Sequence, residues 1–78
     1  MNKSRREQLN AALVKLQQVE QSIDRIKDEE QDCMDNMPEN LQSSDRYRAM
    51  ENAVDHLEDA IESIQEAAGY VDLAINER

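Results

Sequence analysis

The chain has 78 residues, a formal net charge of −9, one cysteine and neither Trp nor Phe. That length suits one domain with a small core, and such a core must be aliphatic. The charge disfavours direct DNA binding, because phosphates would repel most of the surface. One cysteine cannot form an internal disulfide, and no apolar run approaches membrane-spanning length, so we expect a cytoplasmic protein.

The first predicted element is a helix over residues 5–35. Ser4 and Glu7 have the spacing of a capping box, which would start the helix at the residue after Ser4. Apolar residues then recur at alternating intervals of three and four, as in a coiled-coil seam. The predicted seam of this helix comprises Leu9, Ala12, Leu16, Val19, Ile23, Ile26, Glu30, Cys33 and Met37. We expect Cys33 to be buried and Glu30 to reach solvent or Arg46.

A turn is predicted over residues 36–44, because Pro38 disfavours helix at the residue before it and lacks an amide donor. Residues 38–41 should form one short turn, with Leu41 folded over the end of the core. Ser43 or Ser44 should then cap a second helix over residues 45–77. The predicted seam of the second helix comprises Tyr47, Met50, Val54, Leu57, Ile61, Ile64, Ala68, Val71 and Ile75.

The two seams predict an all-α fold, an antiparallel two-helix hairpin in which residues 1–78 form one domain. A turn centred near residue 40 would place Val19 opposite Ile61. The hairpin leaves apolar residues unpartnered, and their clustering indicates an interface. We therefore expect a homodimeric four-helix bundle. The predicted interface comprises Ala53, Ala60, Ala67 and Ala74 in one row, together with Leu13, Val14, Tyr70 and Leu73.

A second candidate surface is an acidic row on the outer side of the second helix. It comprises Glu51, Asp55, Glu58, Asp59, Glu62 and Glu66. Such a row could imitate a phosphate backbone and occupy the groove of a basic nucleic-acid-binding protein. It is more typical of an ordinary solvated helix face, because acidic exteriors are common.

Neither a metal site nor an active site is predicted, and no cofactor is expected. His56 lacks the glutamate three residues earlier that a helical di-iron site needs. The stretch Asp28-x-Glu30-x-Asp32 faintly resembles a calcium loop, but Cys33 stands where that loop requires glycine. No Ser-His-Asp set, glycine-rich loop or inward carboxylate pair is present, which argues against an enzyme.

The basic start of the chain is a weak candidate for RNA binding. It carries Lys3, Arg5 and Arg6, with Lys15 two to three turns further on. The predicted hairpin places Glu66, Asp72 and Glu77 of the second helix beside these cations. We therefore expect the basic patch to be neutralised.

Residues 36–62 resemble small uncharacterised helical proteins from phages and mobile elements of Firmicutes. The most specific part is the turn Met37-Pro38-Glu39-Asn40-Leu41-Gln42-x-Ser44-x-Arg46-Tyr47. The resemblance implies no activity. It implies a bacterial or phage cytoplasmic origin, in genomes rich in small acidic inhibitors of host defence.

Together these observations favour a non-enzymatic module that binds a protein partner, with a second copy of itself as one expected partner. The first alternative is a nucleic-acid-mimicking inhibitor of a host defence nuclease, of the anti-CRISPR or anti-restriction type. The second alternative is a self-assembling structural subunit.

Overall fold

The computed structural model describes residues 1–77, which form two long helices and a short connection. Helix α1 spans Lys3–Asp35. It begins two residues earlier than predicted, because Asn2 rather than Ser4 is the cap: the Asn2 side chain accepts a 2.9 Å hydrogen bond from the Arg5 amide. The Ser4 hydroxyl instead accepts from the Gln8 side chain.

The connection contains one 3-10 turn, Glu39–Leu41, directly after Pro38. Helix α2 spans Asp45–Ile75 and is capped by Ser44, as predicted, although it ends two residues before the predicted bound. The Ser44 hydroxyl accepts from the Tyr47 amide at 3.2 Å and donates to the Leu41 carbonyl at 2.6 Å. The prediction for Leu41 was wrong, since its side chain is 44% exposed and does not close the core.

The two helices pack against each other as a hairpin, confirming the predicted all-α architecture. The molecule is a rod with extents of 59 × 15 × 12 Å. Its interior is thin: Met34 and Val54 are the buried apolar residues among residues 1–77. In that part of the chain every ion pair joins residues of the same helix. The packing of α1 against α2 is therefore stabilised mainly by apolar contact.

The predicted seam of α2 is confirmed along its whole length. Every one of its members is buried or half-buried, from Tyr47 to Ile75. The seam of α1 was only half right. Its inward residues are two rows spaced seven apart. They are Leu9, Leu16, Ile23, Glu30 and Met37, as predicted, and Leu13, Glu20, Lys27 and Met34 instead of Val19, Ile26 and Cys33; Ala12 of the predicted seam is also half-buried.

This rotation of α1 exposes residues that the prediction placed in the core. Val19 is 48% exposed, Ile26 is 47% exposed, and Cys33 is also exposed rather than buried. In return the rotation brings Leu13 to a half-buried position and buries Met34.

The predicted pairing of residues across the hairpin was also wrong. Glu20, the neighbour of Val19, is hydrogen-bonded to Gln65, which lies four residues beyond the predicted partner Ile61. At the open end of the hairpin, the Arg6 guanidinium donates to the backbone carbonyl of Glu77 at 3.0 Å. The connection itself spans residues 36–44, as predicted, so the difference lies in how the two helices pack and not in the length of the turn. Glu30 is half-buried, and within residues 1–77 it forms no ion pair with Arg46.

Candidate functional site

One side of the hairpin is joined by polar side chains and will be called the polar side. A shallow groove there is lined by Glu20, Gln21, Asp24, Ile61 and Gln65. Gln65 donates a 2.7 Å hydrogen bond to the Glu20 carboxylate across this groove. The inward row of α1 that contains Glu20 therefore borders the polar side. The charged groups of Glu20 and Lys27 in this row reach water, while their aliphatic stems cover the contact between α1 and α2.

Lys27 belongs to the same row and lies among carboxylates. Its amine is 3.3 Å from Asp24 and 3.8 Å from Asp28. The hydrogen bond that the Lys27 amine donates to Asp24 contributes most to raising the pKa of Lys27 above its ordinary value, and the charges of Asp24, of Asp28 and of Glu58 on α2 add to it. Desolvation opposes this increase. Lys27 thus remains protonated at neutral pH and offsets part of the acidic charge beside the groove.

The opposite side of the hairpin is apolar, and we call it the apolar face. Residues three and four apart on a helix are neighbours, so the edge of each helix away from the polar groove can be read from the sequence. On α1 this edge comprises Ala12, Val19, Ile26 and Cys33, flanked by Lys15, Ser22 and Glu29. On α2 it comprises Ala53, Ala60, Ala67 and Ala74, flanked by Ala49, His56, Ser63 and Tyr70. Lys15 and Glu29 are its only formal charges at pH 7.

The apolar face is open to solvent along its length. Ala53 and Ala67 are exposed, whereas Ala60 and Ala74 are half-buried by the packing of the helices. His56 is exposed, which is the outward position expected for it. The predicted alanine row thus lies beside the α1 row that the prediction had assigned to the core, and the two rows form one surface.

The acidic row lies away from the apolar face. All six of its carboxylates, from Glu51 to Glu66, belong to exposed residues. They span the sixteen residues from Glu51 to Glu66, or about 22 Å of helix axis. The charge of Lys27 on α1 reaches one of them, Glu58. This surface is therefore a strip of carboxylates with little neutralisation from the facing helix.

The four residues predicted to form an apolar cluster lie at one end of the rod but point in different directions. Leu13 is half-buried between the helices, and Val14 is exposed on the polar side of α1. Tyr70, at the edge of the apolar face, and Leu73, on the back of α2, are exposed and line a shallow groove with Glu66 and Gly69. They do not form a single patch, and their predicted role in an interface stays a prediction.

Sequence reasoning missed Val19, Ile26 and Cys33 as surface residues because they fit a heptad seam equally well. A different signal in the sequence could have found the apolar face. On α2, the positions of Ala49, Ala53, His56 and Ala60 begin a run at intervals of four and three that carries no charge as far as Ala74. In a chain that is 35% charged, such a run indicates a face kept free of charge.

Among residues 1–77, no three His, Cys, Asp or Glu side chains converge in a way that could hold a metal ion. Neither α1 nor α2 is apolar enough over a sufficient length to cross a membrane. No family model, characterised protein or solved structure matches this chain.

Proposed function

We propose that this chain is a non-enzymatic protein-interaction module that binds through the apolar face. The observation that carries the proposal is the division of the surface into a largely apolar side, whose formal charges are Lys15 and Glu29, and an acidic side. An exposed apolar strip along the whole of a rod has no role in the fold of the hairpin itself. Continuous exposed apolar surface is characteristic of sites that bind another protein.

The experiment is capture of partners from nuclease-treated bacterial lysate, with the tagged chain as bait. Ala60→Glu and Ala67→Glu each place a carboxylate in the middle of the apolar face. We expect a partner that wild-type protein retains to be lost with both variants. Leu73→Glu adds the same charge on the back of α2 and serves as the control, and circular dichroism shows whether Ala60→Glu, at a half-buried position, keeps its helices. A partner retained equally by all four proteins would contradict the proposal.

The second candidate is a nucleic-acid-mimicking inhibitor, and the acidic row favours it. Six carboxylates over about 22 Å lie roughly 4–5 Å apart along the axis, close to the 3.4 Å per phosphate of one DNA strand. A basic nucleic-acid-binding protein would then be the partner. The phage or mobile-element origin implied by residues 36–62 is part of this candidate.

Its test is a variant in which Glu51, Asp55, Glu58 and Glu62 carry neutral side chains, Gln or Asn. The mimic predicts that this variant loses a salt-sensitive partner that DNA or RNA displaces from the wild-type protein. Loss through Ala60→Glu but not through the neutral variant would favour the apolar face instead. A self-assembling structural subunit, the remaining alternative, would retain only copies of itself.

A further inference from the structure

We propose that a second copy of this chain covers the apolar face, with the two hairpins antiparallel so that their turns lie at opposite ends. This inference rests on the proposed function, because it names one partner for the surface described there. It further assigns which helices meet: α1 on α1, and α2 on α2, across a two-fold axis perpendicular to the rod.

The first support is the exposed area of the single chain. Its accessible surface is 6009 Å², whereas a folded monomeric protein of 9.0 kDa is expected to expose roughly 4,850 Å². The excess of about 1,150 Å² belongs to the whole surface of the elongated rod, and a standard stable interface buries roughly 800 Å² of each partner. A second hairpin is as long as the apolar face, so it can cover the face along its whole length.

The second support is the distribution of charge along the rod. The turn end, residues 28–53, contains eight acidic and two basic residues, a net charge of −6. The open end, residues 1–16 and 66–77, contains four of each and is neutral. Two parallel hairpins would bring the two acidic turns together, whereas antiparallel hairpins place each turn beside a neutral end. Like charges held close together are costly, so the antiparallel arrangement is favoured.

Helix α1 has the same asymmetry in a stronger form. Its residues 3–15 carry a net charge of +3, with four basic residues and one acidic residue. Its residues 28–35 carry −5, with five acidic residues and none basic. Antiparallel contact between the two copies of α1 brings each positive end beside a negative end. Each copy also turns its acidic row away from the other.

The spacing on the apolar face fits this arrangement residue by residue. A two-fold axis beside Ser22 places Val19 of one copy opposite Ile26 of the second copy. The same axis places Lys15 opposite Glu29 of the second copy, where Glu29 already has an ion pair of 3.3 Å with Arg25 of its own chain; Lys15→Glu is therefore the cleaner of the two single variants below. On α2 it brings the two alanine rows together, and small side chains let the helices approach closely.

A charge-swap cycle at Lys15 and Glu29 tests the inference. Within one chain these residues are fourteen apart on one helix, about 21 Å, so they do not form a pair with each other. Lys15→Glu and Glu29→Lys each create two repulsive pairs per dimer, and we expect each to raise the dimer dissociation constant roughly tenfold. The double variant restores attraction at both sites and should return to within about threefold of wild type.

The measurement is sedimentation equilibrium over a range of chain concentrations, with circular dichroism to show that each variant keeps its helices. The chain concentration is varied over a 100-fold range, up to about 100 μM. A mass of 9.0 kDa, that of a single chain, at every concentration would overturn the dimer, since stable interfaces of this size bind more tightly. Absence of rescue in the double variant would overturn the antiparallel pairing. Leu73→Glu, on the back of α2, should leave the dissociation constant unchanged.

Cysteine cross-linking gives an independent test of direction. The two copies of Cys33 would lie about 30 Å apart in the antiparallel dimer, because each is some ten residues from the axis. Oxidised wild-type protein should therefore form no disulfide within the dimer, whereas Ser22→Cys combined with Cys33→Ser should. Absence of the Ser22→Cys disulfide in protein of dimer mass would overturn the antiparallel pairing. If the chain has a monomeric mass but retains a protein partner in the capture experiment, the dimer is refuted and the proposed function stands. If the chain is a dimer and retains no other partner, it is a self-assembling subunit.

Discussion

The carboxylate of Glu20 in α1 accepts a hydrogen bond from the side-chain amide of Gln65 in α2, and this contact joins the helices at the middle of the rod. Glu20 also occupies an inward row of α1 and is half-buried. A charged residue therefore stands where a coiled-coil seam would normally carry an apolar one.

Replacing Glu20 with Leu should stabilise the hairpin. The added apolar contact is worth about 1–2 kcal/mol, and the lost hydrogen bond lies at an exposed edge where it contributes less. We expect the melting temperature to rise by roughly 4–8 °C per kcal/mol for a chain of this size. Thermal unfolding at a fixed chain concentration measures it. Gln18→Leu, on the outer face of α1, is the control and should change stability by less than about 0.5 kcal/mol.

Met34 and Cys33 are adjacent, but the structure gives them opposite surroundings. Met34 is 4% exposed and Cys33 is exposed. Met34→Ala should therefore cost about 2–3 kcal/mol of unfolding free energy, whereas Cys33→Ala should cost less than about 0.5 kcal/mol. Urea unfolding under reducing conditions, at a chain concentration low enough to favour the monomer, compares them. The opposite order of the two costs would show that the originally predicted seam is the correct one.

The Ser44 hydroxyl links the connection to α2 through two hydrogen bonds, one to the Tyr47 amide and one to the Leu41 carbonyl. Ser44→Ala removes both and should destabilise the protein by about 1–2 kcal/mol. Ser44→Asp keeps an acceptor for the amide and should recover part of this loss. Ser43→Ala, one residue earlier, serves as the control in the same unfolding assay. Equal stabilities for the two alanine variants would contradict the assignment of Ser44 as the cap.

Gly69 lies within α2, and a methyl group at its Cβ position would have no atom within 4 Å. Alanine is favoured over glycine in a helix interior by about 0.5–1 kcal/mol. Gly69→Ala should therefore raise the unfolding free energy by about that amount, as measured by urea denaturation. Ala67→Gly is the reverse change two residues away and should lower it. A loss of stability in Gly69→Ala would indicate a contact at this position that the hairpin alone does not make.

The sequence was sufficient to predict the hairpin and the whole seam of α2, because α2 offers one continuous apolar stripe. It was insufficient for α1, where two different stripes share Leu9, Leu16 and Ile23. Val19 and Ile26 favour one stripe by residue type, whereas Leu13 and Met34 favour the other. Both stripes have heptad spacing, so spacing alone does not show which one packs inward. The stripe that does contains Met34, which is tightly packed, but also Glu20 and Lys27, whose long stems cover apolar surface while their charges reach water.

The candidate surface could likewise be predicted from the sequence on α2 but not on α1. The alanine row was evident because it repeats every seven residues on α2. Its continuation across α1 depends on the rotation of that helix about its axis, which is a property of the packed pair. The pairing across the hairpin likewise depends on the rotation of α1, because the connection has the predicted bounds, residues 36–44.

The positions of Met34 and Val54 have a consequence for the order in which this protein forms. Both buried residues lie in the half of the rod next to the connection. Closing a short loop costs little chain entropy, so contacts near the connection can form first and the helices can then zip together toward the chain ends. Amide hydrogens near Met34 and Val54 should exchange slowest with solvent, and those of the open end should exchange first. Folding should take microseconds to milliseconds, because almost every contact it needs is local or lies next to one already made.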